Sequence, residues 1–414
     1  MEKRRCGTLK KTKLSEGGIV VALCCAVYFI SYLARLDYSA VMAEMIARNV
    51  LDKEGAGLIG TALFFAYGAG QLVSGYLGDK IKPQYIICCG LLLSAVCNAL
   101  MPFFETVAAL AVIWSVNGLA QAMLWPPIVK IMSGSLREEQ YAKGVFWVST
   151  ASHLATICVY LVVPLVIAVS GWKSVFWYAG GAAFAVLILF AARYCRIKET
   201  SVSMPTPTEE KKTDSLKNAF LSSGLILILI AIVLQGILRD GITSWMPTYM
   251  TEVFGMSAAL SILLNVLLPV FSWGCILVAG FLYKKVFKNE ILQSIFFFAL
   301  AFLFSVIFLL GKDNEIVALA SAALITGCMH AINLTLICYV PMRYKNTGKV
   351  SLVSGITNAF TYVGSTISSY GFAAVSVSYG WECLAYIWIG AGVLGVVILA
   401  FGLRLWKKFI ENNK

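Results

Sequence analysis

Twelve stretches of about 20 almost wholly apolar residues run through this chain, and no other feature limits its fold so tightly. They lie approximately at 18–46, 57–78, 84–104, 107–131, 142–169, 172–194, 218–251, 257–283, 291–311, 315–340, 349–377 and 381–404. Stretches this long and apolar take lipid, not water, as their solvent, and in lipid the backbone must satisfy its own polar groups as helix. Composition agrees, because 59% of the 414 residues are hydrophobic and only 13% are charged. Soluble domains carry about 25% charged residues. Gly, Ser and Ala recur inside the stretches, as close helix packing in lipid requires. The expected fold is an all-α membrane protein with twelve transmembrane helices.

The formal net charge of +12 would suggest a nucleic-acid partner in a soluble chain. Its distribution points elsewhere. The odd-numbered loops hold only Arg48, Lys53, Lys173 and Lys312, and Arg35, Lys130 and Arg239 fall within spans. The remaining Lys and Arg lie in or at the edges of the two tails and the even-numbered loops. This is the positive-inside pattern. It predicts a multi-pass protein of the cell membrane with both termini cytoplasmic and no nucleic-acid partner. The basic N-tail, Lys3–Lys13, leads into a full-length span that serves as its own insertion signal, so no cleavable signal peptide is expected. The twelve cysteines fall mostly in apolar runs, as at Cys24, Cys25, Cys88, Cys89 and Cys158. They read as small buried hydrophobes with neither a disulfide framework nor metal-ligand spacing.

Residues 196–217 break the hydrophobic pattern with a Pro-, Thr- and charge-rich run and read as a disordered cytoplasmic linker. The expected domains are a six-helix bundle over 1–195, the linker at 196–217 and a second six-helix bundle over 218–414. The halves repeat weakly. Gly75-Tyr-Leu-Gly-Asp-Lys80 matches Gly280-Phe-Leu-Tyr-Lys-Lys285, Val148-Ser-Thr150 matches Val353-Ser-Gly355, and Gly171-Trp172 matches Gly380-Trp381. Parallel six-helix repeats with a substrate site between them are a transporter design.

A charged side chain in the bilayer costs from roughly 2.5 to more than 10 kcal/mol, so Arg35 and Arg239 demand a role. Arg35 follows the edge lysine Lys13 by 22 residues, and Arg239 follows Lys217 by 22. Matched positions in matched halves should bring both guanidiniums to the interface near mid-depth, as an anion site. The competing explanations are that Arg35 snorkels to the outer interface, or that each arginine pairs locally with Asp37 or Asp240. Neighbours on one helix face lie three or four residues apart, so Asp240 is expected to be poorly placed to neutralise Arg239, and Asp37 to point away from Arg35. Tyr28, Tyr32 and Arg35 share one helix face, as do Tyr67 and Gln71 on the second span and Gln235 and Arg239 on the seventh. His153 and His330, the only histidines, are candidates for anion contact or proton carriage. Asp79 and Lys80 are candidate gating residues that close the cytoplasmic side through charge contacts, and Lys130 is expected to reach lipid headgroups. No GxxxxGK[ST] loop, HExxH motif or catalytic triad occurs, so no enzyme activity, cofactor or metal is expected.

These residues resemble the organophosphate:phosphate antiporter family of the major facilitator superfamily, the group of the glycerol-3-phosphate and hexose-phosphate transporters. The resemblance rests on Asn117-Gly118, Gln121 and Trp125-Pro126-Pro127, on the tyrosine–arginine face of the first span, on Gly75 through Lys80, and on Leu238-Arg239 followed by Trp245-Met-Pro247-Thr-Tyr249. It implies that Arg35 and Arg239 hold a substrate phosphate within a cavity lined by Tyr28, Tyr32, Tyr67 and Trp125. The chain departs from the family pattern at Leu36-Asp37-Tyr38, Gln71, Gly236 and Ser244, and His153 stands one position from the family's histidine. The lost lysine at Gln71 implies a less positive pocket.

The function expected is alternating-access transport of a small anionic solute, an organophosphate exchanged for phosphate, by a monomer. The alternatives are proton symport of an organic carboxylate such as a sugar acid, carried by His153, His330 or Glu44, and a membrane sensor of sugar phosphate.

Overall fold

The computed structural model describes residues 16–136, 138–194, 224–347 and 350–412. The tail Lys3–Lys13 and the linker at 196–217 lie outside the described residues.

The first half consists of α1 (Glu16–Ala47), α2 (Lys53–Lys80), α3 (Pro83–Leu100), α4 (Val107–Ala122), α5 (Trp125–Ser135), α6 (Glu138–Ser170) and α7 (Trp172–Tyr194). The second consists of α8 (Leu225–Phe254), α9 (Ala258–Leu264), α10 (Leu267–Leu282), α11 (Glu290–Leu310), α12 (Glu315–Asn333), α13 (Val350–Tyr379) and α14 (Glu382–Asn412). The fourth expected span is thus α4 and α5, and the eighth is α9 and α10. Pro126 opens α5, where a missing N–H and a fixed φ are tolerated and a continuous helix is not. The tenth span ends in a π-helical turn, Leu334–Tyr339. Among the described residues, ten helical segments are long and apolar enough to cross a membrane. The Gly-rich α2 and the Ser-rich α13 fall outside that set and pack on each other.

Local chemistry fixes the helix ends. Asn289 and Asn314 accept backbone N–H bonds from the first turns of α11 and α12, as N-caps do. The repeated Gly-Trp pair also repeats in geometry, because Gly171 and Gly380 both adopt φ +79°, a left-handed conformation natural to glycine. Helices cross closely at other glycines. A Cβ on Gly118 of α4 would lie 2.4 Å from the Leu63 carbonyl of α2, and one on Gly236 of α8 would lie 2.1 Å from the Thr361 carbonyl of α13. Backbone contact of this kind is how helices associate in lipid, where apolar burial against a neighbour gains little over burial against acyl chains.

In the first half α2 packs on α4, α1 on α6 and α7, and α3 on α7. In the second α8 packs on α13 and α14, and α12 on α10 and α11. The seam between halves is made by α2 against α13, α6 against α9 and α10, and α1 against α8 and α9. The start of α1, the end of α7, the start of α8 and the end of α14 lie at one end of the bundle. The hydrogen bonds across the seam gather toward the other, far end. Lys53 Nζ donates to Glu252 Oε2 at 2.9 Å, Ser369 Oγ to the Gly57 carbonyl at 3.1 Å, and Thr61 Oγ1 to the Thr366 carbonyl at 3.1 Å. Trp381 Nε1 also donates to Glu252 Oε2, at 2.9 Å, and Lys53 Nζ stands 5.4 Å from the Trp381 ring centre.

Candidate functional site

Arg35 is held in place by amides behind it. The carbonyl of the preceding Ala34 accepts from Asn98 Nδ2 at 3.1 Å and from Asn117 Nδ2 at 3.0 Å. Asn117 Oδ1 accepts from Ser94 Oγ, Ser94 Oγ from Gln121 Nε2, each at 2.8 Å, and Gln121 Oε1 from Ser31 Oγ at 2.6 Å. This buried network ties α1 to α3 and α4 directly behind the arginine. Asn117 and Gln121 therefore act on the site by positioning Arg35, not by lining it.

Arg35 is 7% exposed, and its Nε has no hydrogen-bond partner among the described residues. Its guanidinium carbon lies 4.3 Å from the Tyr32 ring centre and 5.1 Å from that of Tyr67. Each such contact is worth about 0.5–2 kcal/mol, which offsets part of the cost of burial without supplying a counter-charge. Among the described residues no carboxylate forms an ion pair with it. Asp37 does turn away, with Oδ1 accepting from the Tyr38 N–H at 2.7 Å. Tyr28 extends the aromatic face, 5.1 Å from Tyr32 and 4.8 Å from Trp125 between ring centres.

Arg239 differs from the expectation. Its Nε donates to Asp240 Oδ1 and its Nη2 to Asp240 Oδ2, both at 2.7 Å. The two Cα–Cβ directions diverge by about 100°, as adjacent helical positions must, but the long arginine stem folds back to close the gap. Ser365 of α13 fixes the carboxylate by donating Oγ to Oδ2 at 2.5 Å. Arg239 and Asp240 are only partly buried, whereas Arg35 is buried.

The two arginines are joined through tyrosines. Tyr67 and Tyr362 touch across the seam with ring centres 4.3 Å apart, and the Arg239 guanidinium carbon lies 5.9 Å from the Tyr362 ring.

His153 of α6 and His330 of α12 also meet across the seam, ring centres 6.0 Å apart. Each places Nδ1 on the backbone carbonyl four residues back, Ser149 at 2.8 Å and Thr326 at 2.9 Å. A carbonyl only accepts, so Nδ1 carries the proton and Nε2 is left for other partners. Gln71 is 9% exposed, with an Nε2 that has no partner among the described residues. Gln235 is fully buried and donates Nε2 to the Met329 carbonyl of α12 at 3.1 Å, so its amide nitrogen serves the packing of the second half. Glu44 pairs with Arg48 at 2.5 Å near the far end, away from the histidines. Asp79 and Lys80 end α2, and their side chains lie outside what is described. Tyr362, Ser365, Thr366 and Ser369 went unread in the sequence, although their spacing of three and four marks one polar helix face on α13.

A sequence profile of the Major Facilitator Superfamily matches residues 24–369. The chain belongs to the major facilitator superfamily. That superfamily consists of membrane transporters, not enzymes. This facilitator is similar to a probable hexose phosphate transport protein of Chlamydia muridarum, 22% identical over 92% of this chain and 88% of the relative. It is similar to the membrane sensor protein UhpC of Salmonella typhimurium, 24% identical over 90% of this chain and 89% of the relative. It is also similar to the glycerol-3-phosphate transporter of Bacillus subtilis, 26% identical over 91% of this chain and 90% of the relative. Among solved structures, a D-xylose–proton symporter superposes with a TM-score of 0.71 over 93% of this chain and 96% of that one, at 13% identity, a likeness of fold.

Proposed function

We propose that this facilitator is a secondary transporter of an anionic organic solute, an organophosphate such as a sugar phosphate or glycerol phosphate, exchanged for phosphate by alternating access. The observation that carries this reading is the pair of intramembrane arginines, one from each half at matched positions, meeting at the seam with their tyrosines. A tetrahedral oxyanion bridging both forks would draw the halves together, so switching would be easiest with the site filled, as exchange requires. The relatives named for hexose phosphate and glycerol 3-phosphate support the same solute class. With both termini cytoplasmic, the closed far end would face outward and the site would open inward. We expect the monomer to be the working unit.

Exchange of radiolabelled phosphate and sugar phosphates in proteoliposomes tests the reading. Arg35→Lys and Arg239→Lys should each reduce exchange to background while the melting temperature is retained, because an ammonium cannot replace a planar two-point fork. Near-normal uptake by either variant would sink the two-arginine clamp.

One observation favours a second reading. The histidines facing each other across the seam suit proton-coupled uptake of an organic carboxylate such as a sugar acid. Uptake driven by a pH gradient and indifferent to internal phosphate would select it. Ligand binding without transport in the same vesicles would select a sensor, as the relative UhpC is named.

A further inference from the structure

Asp240 changes what the arginine pair can bind. It takes Nε–H and one Nη2–H of Arg239, the side edge of the guanidinium. Arginine has five N–H donors, so both Nη1 hydrogens and the second Nη2 hydrogen remain, and the end edge is still a two-point fork for an oxyanion. Asp240 thus removes charge from the site while leaving three of the five donors of Arg239. Ser365 holds the carboxylate from a third side, so the ion pair is built into the α8–α13 contact and does not depend on a chance rotamer.

The remaining charges can be tallied from the elements around the site. Among the described residues, Arg35 on α1 has no carboxylate partner, its guanidinium lies over the Tyr32 and Tyr67 rings, and its Nε is unpartnered. The α2 face offers Tyr67 and the neutral amide of Gln71, whose Nε2 is also unpartnered. The α13 face offers Tyr362 and Ser365. The α6 and α12 faces offer His153 and His330, and imidazoles carry little charge at pH 8. Among the described residues, the charges facing the site are therefore two positive and one negative.

Resting on the anion site proposed above, we infer that this site selects oxyanions of single negative charge, such as phosphodiesters or the monoanions of phosphate esters, over phosphate dianions. In a poorly polarisable interior a ligand is held best when site and ligand charges cancel. A monoanion leaves the filled site neutral. A dianion leaves it one charge short, and each uncompensated charge at this depth is expensive.

The test uses two probes that share one tetrahedral head. At pH 8 methyl phosphate is mostly a dianion, since the second phosphate pKa is about 6, whereas dimethyl phosphate is a monoanion. Dissociation constants for the full-length purified protein come from isothermal titration calorimetry. The wild type should bind dimethyl phosphate at least about tenfold more tightly than methyl phosphate, and Asp240→Asn should reverse that order. Asp240→Glu, which keeps the charge, should preserve it. Tighter binding of the dianion by the wild type overturns this inference while leaving the anion site standing. So does an unchanged ratio in Asp240→Asn. Because the wild-type ratio is decisive alone, a variant that fails to fold leaves the test intact. Failure of both probes to bind refutes the anion site, and this inference with it.

Discussion

Gly57→Ala offers a sharp test of how the far end closes. A Cβ on Gly57 of α2 would fall 2.7 Å from the Ser369 carbonyl oxygen, 3.0 Å from Ala373 Cβ and 3.1 Å from Tyr370 Cα, all on α13. Two of these three atoms belong to the backbone, so no rotamer change relieves the clash. Ordinary contact begins near 3.4 Å, so α2 must retreat by about 0.7 Å. That retreat stretches the Ser369–Gly57 and Thr61–Thr366 hydrogen bonds, both 3.1 Å. Overpacking costs about 1–3 kcal/mol, and a weakened hydrogen bond adds a fraction of about 1 kcal/mol. A cost of about 2 kcal/mol corresponds to a roughly 30-fold shift in a two-state ratio. The contacts belong to the α2–α13 seam, so the cost falls on the closed far end and not on the folding of either half. Bioorthogonal spin labels at Glu105 and Asp313, exposed far-end positions in opposite halves, report the separation by electron–electron resonance. A new long-distance population should appear with an unchanged melting temperature. Unchanged distances would refute the reasoning. So would a lower melting temperature without a new population.

Other outcomes follow from the same geometry. Lys53→Ala removes the Glu252 ion pair and the Trp381 contact, but the partners are 20% and 31% exposed, so solvent screening limits the effect to less than about 1 kcal/mol. The same label pair should show a small opening that 1 M salt reproduces in the wild type. Glu290 is fully buried and accepts from Tyr283 Oη at 2.6 Å, Arg343 Nε at 2.7 Å and Trp406 Nε1 at 3.1 Å. Glu290→Ala strands the buried indole N–H, and Arg343, one-third exposed, can turn to water. Thermal denaturation in detergent should show a loss of about 2–4 kcal/mol, and Glu290→Gln should recover part of it.

Much of the fold was legible because lipid makes hydropathy a direct reading of secondary structure. The break at Met123–Leu124 could also have been read, since Pro126-Pro127 cannot continue a helix from the preceding turn. The break at Asn265 carries the same marker, since Pro269 lacks the N–H that would bond the Asn265 carbonyl in a continuous helix. The π-turn at Leu334–Tyr339 comes from one extra residue per turn, which shifts no hydropathy window. At the site, equal spacing from the edge lysines gave the matched arginines. The Arg239–Asp240 bond stood as a competing explanation and was discounted because face arguments follow Cβ directions, which a side chain as long as arginine escapes. The histidine pair joins helices from opposite halves, a contact that no periodicity within one helix records.

The ring contact between Tyr67 and Tyr362 has a mechanical consequence. It lies where the seam gives way from the tightly joined far end toward the arginines. If the halves tilt about it, the tyrosines act as a fulcrum, and displacement grows with lever arm. The guanidiniums, one ring away, would travel little, while the helix ends beyond them would sweep several times farther. A solute's charged head would then meet nearly the same clamp throughout the stroke, and its uncharged remainder would pass through changing surroundings. Selection by charge and selection by shape would thus be made at different distances from one axis, and each could change in evolution without the other.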